Sequence, residues 1–418
     1  MKQEITNRIK DINNGIIPNG YEKTEFGVFP CDWVTDKRLK DIGTFGKGKG
    51  LPGDKMTSKG VPCVGYGDIY MKYNNFHFEK AKSFVDEETA SESQPIQKGT
   101  LLFTGTGETA EEIGKCVCYN GDETIYAGGD ILTFISNEVN PLFLAYQQYQ
   151  DFSLRNKASF GQGHSVVHIQ RENLEKLHVA YPKSTDEQSK IAEILMNWDE
   201  AIELYDKLVD ILITKRNAII QKIVSANAEW KEYSLSDILQ EKNEYSHTNN
   251  EHEVLSSTKQ GIFSQSDYFD KQVASENNIG YKIVRRGDIV LSPQNLWLGN
   301  INYNDVFEVG IVSPSYKIFE IKSGYDKTLI STIMKLPSML HQYVLASEQG
   351  ASIVRRNLNM DLFYKIKIIL PSIEKQNQLG KIIETINNHI SLCKLQLENT
   401  KVQRKILHQY LLNGIVRV

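Results

Sequence analysis

Long apolar runs are missing from this 418-residue chain. No stretch approaches the roughly 18 residues of a membrane span, and the opening MKQEITNRIK lacks the apolar core of a signal peptide, so the chain is expected neither to span a membrane nor to be exported. Cysteine is scarce. Cys31, Cys63, Cys116, Cys118 and Cys393 are odd in number and lack paired metal-type spacing, which argues against a disulfide framework and for a reducing, cytoplasmic setting. An excess of one charge is missing too. With 48 Lys+Arg against 52 Asp+Glu the net charge is -4, so any grip on nucleic acid must be local or shared with a partner.

Catalytic motifs are also missing. GTFGKGKG (Gly43 to Gly50) nearly matches a phosphate loop, but Gly50 stands where a magnesium-binding hydroxyl is required. The stretch reads instead as a glycine-rich basic loop whose Lys47, Lys49 and Lys55 either meet phosphates or are solvated. FTGTG (Phe103 to Gly107) imitates the F-x-G-x-G of base-modifying methyltransferases. No helix is expected after it, because Gly114 and the β-like KCVCY follow, and the Asn/Asp-Pro-Pro-aromatic signature is absent; a tight β-turn is the expectation. Cys116 and Cys118 lack a second pair or a nearby His, so no zinc site is expected. His164 and His168 lie close together without a carboxylate cluster, and suit base reading better than metal binding. No order of residues points to a catalytic site.

What is present is a repeat. EQSKIAEILMNWDEAIELYDKLVDILITKRNAIIQKI from Glu187 and KQNQLGKIIETINNHISLCKLQLENTKVQRKILHQYL from Lys375 align without a gap at an offset of 188. Steps of four and three along the first give Ile191, Leu195, Trp198, Ile202, Tyr205, Val209, Leu212, Arg216 and Ile219. The second gives Leu379, Ile383, Ile386, Ile390, Cys393, Leu397, Thr400, Arg404 and Leu407, with its arginine at the equivalent step. These are two heptad seams on two long helices. The seam arginines are expected as tolerated polar breaks or as partners of an acid such as Asp199, Glu200 or Glu384. Upstream, GQGHSVVHI resembles EQGASIVRR, and KGTLLFT resembles RGDIVLS, at offsets of 187 and 188.

Within each globular part, short β-like runs (LLFT, KCVCY and DILTFIS; YKIVRRGDIVLS and SPSYKIFEI) precede helical stretches. NPLFLAYQQYQDFSLRNKAS reads as one helix, and LISTIMKL with MLHQYVLAS as a helix broken at Pro337. The expected class is α/β (α+β). Two mixed domains, 1–182 and 229–371, alternate with long spacer helices, 183–228 and 372–418. Pseudo-twofold packing of the duplicate lays the helices antiparallel as a coiled coil with the domains apart. About 37 helical residues span roughly 55 Å, against about 34–36 Å for one turn of duplex, so the pair suits a molecular ruler.

The pattern resembles the specificity subunit of type I restriction-modification enzymes. GYEKTEFGVFPCDW from Gly20, GVPCVGYGDIY from Gly60, the S-[VI]-V at Ser165 and Ser352, and the two helices that open P-x(n)-Q-x-x-[IL] carry the resemblance across nearly the whole chain. It implies a DNA reader without catalytic residues, in which two target recognition domains each read half of a split, asymmetric sequence in double-stranded DNA. Two methyltransferase subunits would bring S-adenosylmethionine, and translocase/nuclease subunits would bring ATP and magnesium. Readout needs donors and acceptors on major-groove loops with cations on flanking phosphates. The candidates are Lys47, Lys49, Lys55, Tyr66, Asp68, Arg155, Lys157, Gln162, His164 and Ser165 in the first domain, and Arg285, Arg286, Gln294, Asn295, Trp297, Gln349, Ser352, Arg355 and Arg356 in the second. The alternatives are a self-contained S-adenosylmethionine-dependent DNA methyltransferase, suggested by FTGTG, and a protein-binding coiled-coil scaffold, suggested by the seams and the net acidity.

Overall fold

The structure, a computed structural model, describes residues 2–73, 76–163, 166–224, 230–268, 277–352 and 355–418. These fall into two compact units: unit 1 is Met1–Leu204 with Gln396–Val418, and unit 2 is Tyr205–Leu395. The long helices are continuous over Thr185–Val224 and Ile373–Leu412, so each unit is a globular body plus a segment of both helices. The second helix stops short of the expected end at 418. Gly414 takes a left-handed φ of +64°, and the tail turns back onto unit 1, where Tyr21 donates to the Gly414 carbonyl.

Unit 1 carries β1 (Gly43–Lys47), β2 (Val61–Val64), β3 (His77–Phe78), β4 (Ser83–Val85), β5 (Gln94–Ile96), β6 (Leu101–Thr104), β7 (Thr106–Gly107), β8 (Cys116–Tyr119), β9 (Ile125–Ala127), β10 (Ile131–Ser136) and β11 (Val167–His168). One sheet has the order β1-β10-β6-β8-β3, antiparallel except for β8 with β3; a second has the order β4-β2-β9-β5. LLFT and CVCY are buried along their whole length because the two faces of their sheet meet different cores. Leu101, Phe103, Cys116 and Cys118 join a core that includes Ile191, Leu195 and Leu411 from the long helices, while Leu102, Val117 and Tyr119 join another. The period of two thus sets both thiols of the C-x-C on one apolar face. Burial pushes the Cys118 thiol up to about 12.

Among the helices of unit 1 are α1 (Tyr66–Met71), α2 (Pro141–Gln147) and α3 (Asp151–Phe160). The single helix expected from Asn140 is therefore two. A turn closes at Gln150, whose N–H donates to the Gln147 carbonyl, and the Gln148 carbonyl receives the Lys157 ammonium at 2.9 Å.

In unit 2, β12 (Leu239–Lys242), β13 (Asp288–Leu291), β14 (Ile301–Tyr303) and β15 (Lys317–Ile321) have the order β12-β15-β13-β14, the same as β1-β10-β6-β8. The helices α4 (Lys327–Ile333) and α5 (Pro337–Leu345) follow β15 as α2 and α3 follow β10, and β16 (Ser347–Ser352) pairs with β17 (Arg355–Leu358). Pro337 opens α5 in its first turn, where a missing N–H costs nothing.

The glutamine of each Pro…Gln motif shows why the motif recurs. Gln188, buried at the start of the first long helix, donates to the Pro182 carbonyl at 2.8 Å and accepts from the backbone N–H of Asn140 at 2.7 Å. Gln376 does the same with the Pro371 carbonyl (2.9 Å) and the Asp326 N–H (3.2 Å). Asn140 and Asp326 are in turn the caps of α2 and α4. One amide fastens each long helix to its globular body.

Candidate nucleic-acid interface

In unit 1 a chain of backbone hydrogen bonds joins the ends of several elements into one edge. Lys49 N–H donates to Ala127, Gly128 to Val64, Gly129 to Gly50, Gly105 to Asp130 and Ile169 to Gly105, all between 2.9 and 3.1 Å. Lys47 and Lys49 are exposed at the end of β1, and Tyr66, 42% exposed, opens α1 directly after β2. Gln162 is exposed opposite His168, where the two exchange backbone hydrogen bonds. The edge therefore brings together Lys47, Lys49, Tyr66 and Gln162, while Lys55 and Arg155 are exposed on the turn Gly53–Lys55 and on α3.

FTGTG is not a turn, as was expected of it. It is the crossing at which the chain leaves β6 and enters β7, which pairs with β11. No helix presents an N-terminus there, so the methyltransferase reading is not favoured. Likewise GTFGK is a strand, and Gly48 has no side chain because a Cβ would fall on the Gly128 carbonyl. The crossing places further polar groups on the edge that the candidate set omits. Tyr70 hydroxyl lies 2.7 Å from Thr104 Oγ1 and donates to the Thr106 carbonyl, and Thr106 Oγ1 lies 3.2 Å from His168 Nδ1. The motif was visible in the sequence; its partner strand was not.

Two candidates are corrected. Asp68 is 5% exposed and has its oxygens engaged by Gly65 N–H (2.9 Å), the Ser83 hydroxyl (2.9 Å) and the Lys72 ammonium (2.7 Å), so it braces α1 against β4. Lys157 is 1% exposed and donates to the carbonyls of Gly114 and Gln148, and burial pushes its ammonium down to about 8. It cannot reach a phosphate. His164 and Ser165 lie outside the described residues.

In unit 2 the arginines divide. Arg285 makes two hydrogen bonds to Glu244, the shorter 2.5 Å, which hold the Glu244 carboxyl below the usual range; Arg286 pairs with Glu308 at 2.8 Å. Arg356, by contrast, sits over the ring of Trp297, and its backbone N–H donates to the Gln294 carbonyl. Gln294, Asn295, Trp297 and Arg356 are thereby gathered where β17 meets the turn after β13, with Gln294 exposed and the other three half-buried. Gln349 and Ser352 lie on β16 and Arg355 on β17, and their side chains lie outside the description.

The seams are buried as their spacing requires. In unit 1, Ile191, Leu195 and Leu397 are buried, with Trp198 and Ile202 half-buried; in unit 2, Leu379, Ile383 and Ile390 are buried, with Leu212 and Ile386 half-buried. In unit 1 the helix segments run antiparallel: Arg404 bonds Asp199 at 2.7 Å, while Arg417, beyond the second helix, reaches Glu187 near the start of the first. Asp199 also accepts from the Tyr146 hydroxyl at 2.8 Å. Burial, and then the facing carboxylate, push the Tyr146 phenol well above its ordinary value. Arg404 lies over Phe76 as well, 4.3 Å from its centroid. In unit 2, among the described residues, no acid pairs with Arg216: it donates to the side-chain oxygens of Asn387 at 3.0 Å and of its neighbour Asn217 at 3.2 and 3.3 Å. The outer faces hold exposed apolar residues: Leu204, Val402 and Ile406 in unit 1, and Leu208, Ile211, Leu392 and Leu395 in unit 2. Those of the second helix each follow an inner-seam residue (Ile390, Cys393, Thr400, Arg404) by two positions, about 200° round the helix. Among the described residues no helix is long and apolar enough to cross a membrane, and no group of His, Cys, Asp and Glu has the arrangement of a metal site.

Comparison with known proteins agrees with this architecture. Residues 30–210 match the model of the type I restriction modification DNA specificity domain. The chain is 23% identical to a putative type I restriction enzyme MjaX specificity subunit of Methanocaldococcus jannaschii, over 95% of this chain and 97% of that one. It is 21% identical to the type I restriction enzyme MjaVIII specificity subunit of the same organism, over 65% and 70%. Among solved structures, the S subunit of a type I restriction-modification system from M. genitalium has a similar fold, with a TM-score of 0.59 at 16% identity over 91% of this chain and 96% of that one. A chain from a study of complex assembly and conformational transition of the type I R-M system gives 0.51 at 13% identity, over 96% and 98%.

Proposed function

We propose that the chain is a type I restriction-modification specificity subunit, as the match of residues 30–210 to that DNA specificity domain and the full-length likeness to a putative specificity subunit support, and that its two units each read one half of a split sequence in double-stranded DNA. The duplicated plan carries this reading: the same strand order and the same glutamine-fastened helix occur in both units. Two similar bodies with different surface residues suit two different half-sites better than one continuous site. In unit 1 the contact edge holds Lys47, Lys49, Tyr66 and Gln162, and we add Thr106 and His168; in unit 2 it holds Gln294, Asn295, Trp297 and Arg356. Lysines at such an edge neutralise phosphates and fix register, while amide, imidazole and guanidinium groups meet base edges in the major groove.

The chain itself is proposed to catalyse nothing. Its partners are two methyltransferase subunits that bring S-adenosylmethionine, and translocase/nuclease subunits that use ATP and magnesium. The exposed apolar residues of the outer helix faces offer a second coiled-coil seam to helices of those partners. The setting is the cytoplasm, where the cellular DNA lies.

Expression of the chain with its methyltransferase, followed by sequencing of methylated DNA, tests the reading. A split motif is the expected pattern, and an unbroken motif or random methylation contradicts it. The purified chain alone, incubated with labelled S-adenosylmethionine, is expected to transfer no methyl group to DNA.

A further inference from the structure

Arg356 differs from the other described arginines at the unit 2 edge. Arg285 and Arg286 spend their donors on Glu244 and Glu308. Among the described residues no carboxylate pairs with Arg356. Its guanidinium instead lies over the indole of Trp297, 5.1 Å from the ring centroid, an interaction that orients a cation without consuming any of its five N–H donors. The platform beneath it is fixed. Trp297 sits on the 3-10 turn Leu296–Leu298, between fully buried Leu296 and Gly299, which takes a left-handed φ of +90°. Lys335, in the turn between α4 and α5, donates to the Gly299 carbonyl at 3.1 Å and pins the Trp297 turn to that connection. Arg356 N–H bonds the Gln294 carbonyl at 3.3 Å and ties β17 to the same turn.

A phosphate contact needs only a nearby positive charge, for which a mobile side chain serves. A guanidinium held on a rigid aromatic with its fork unspent suits a planar acceptor pair. In the major groove that pair is O6 and N7 of guanine; adenine presents an amino donor in place of O6 and so repels half of the fork. We infer that Arg356 reads a guanine in the half-site of unit 2, with Trp297 as its positioning residue. This rests on the split-target reading above and goes further by naming a base.

The test is methylation sequencing in cells that carry the methyltransferase with the wild-type chain, R356K, R356Q, W297F or W297L. The wild type is expected to show one half-site with an invariant G·C pair that R356K and R356Q relax at that single position by roughly ten- to hundredfold. W297L is expected to weaken the same position and W297F to keep it. The other half-site, unchanged, reports a folded and assembled subunit. Uniform loss of methylation with unaltered base preference, or no change at any position, overturns the assignment of Arg356. A wild-type pattern without a split motif overturns the split-target reading and this inference with it, whereas a split motif that the variants leave unchanged overturns this inference alone.

Discussion

The helix segments of the two units make the same polar contact with different chemistry. Asn387 follows Asp199, and Arg404 follows Arg216, by the repeat offset of 188, so Arg404–Asp199 in unit 1 and Arg216–Asn387 in unit 2 are copies of one contact. In unit 1 it is a buried ion pair whose side chains are 11% and 5% exposed, closed off by Tyr146 and Phe76. In unit 2 the acceptor is a neutral amide, and burial lowers the Arg216 pKa without a counter-charge to oppose it. A third pair of copies differs as well: His408, buried and 3.0 Å from the Tyr146 carbonyl, corresponds to the apolar Ile220. The duplication has thus kept a polar break in the seam, which fixes helix register, while only unit 1 has built an ionisable network around it.

The largest expected effect comes from removing the arginines one at a time. Arg404→Met leaves the Asp199 carboxylate buried without its partner and is expected to cost about 3–5 kcal/mol. Arg216→Met leaves only the amide oxygens of the half-buried Asn387 and Asn217, which water can reach, and is expected to cost about 1 kcal/mol. Denaturant unfolding of the two variants checks the difference, and equal losses would erase the contrast between the units.

Acid sharpens the same contrast. Burial, and then the neighbouring Arg404 charge, lower the His408 pKa to about 3 from an ordinary 6.5. The unfolded chain takes up a proton below 6.5 that the folded imidazole refuses, so its contribution is complete above pH 6.5 and is lost as pH falls toward 3. The slope for this one group is at most about 1.4 kcal/mol per pH unit. Hydrogen exchange measured from pH 7 to pH 5 is expected to show helix residues 400–410 loosening before residues 212–222, and His408→Ile, which copies unit 2, to reduce that loosening.

Asn387→Asp is the mildest change. It supplies unit 2 with the carboxylate of unit 1, and a gain of about 1 kcal/mol is expected in place of the larger value of a fully enclosed pair, because no tyrosine caps it. A thermal melt that falls rather than rises would show that Arg216 is held away from that position.

Much of this was legible in the sequence. The heptad steps marked Leu195, Ile383, Ile390 and Leu397 as buried, because a period of 3.5 is enough to name the inner face of a helix. LLFT and CVCY read as strands from their composition. The Pro…Gln motif could be seen, but the role of its glutamine, an amide shared between a strand exit and a helix cap, could not. The contact edges were less legible, since candidates were chosen by residue type. Type alone cannot separate Lys157, sealed against two carbonyls, from the exposed Lys47, nor Arg285, held by a glutamate forty-one positions earlier, from Arg356, held by an aromatic ring. Thr106 carries no signal of its own in the sequence, and His168 stands out there only by its nearness to His164, because strand pairing, not local pattern, brings Thr106 and His168 together.

Exchange of one globular body tests the two-reader account most directly. With residues 230–371 replaced by the matching segment of a specificity subunit of different target, and methylated DNA sequenced, one half of the split motif is expected to change to that of the donor while the other stays as it was. A change in both halves, or in neither, would contradict the account.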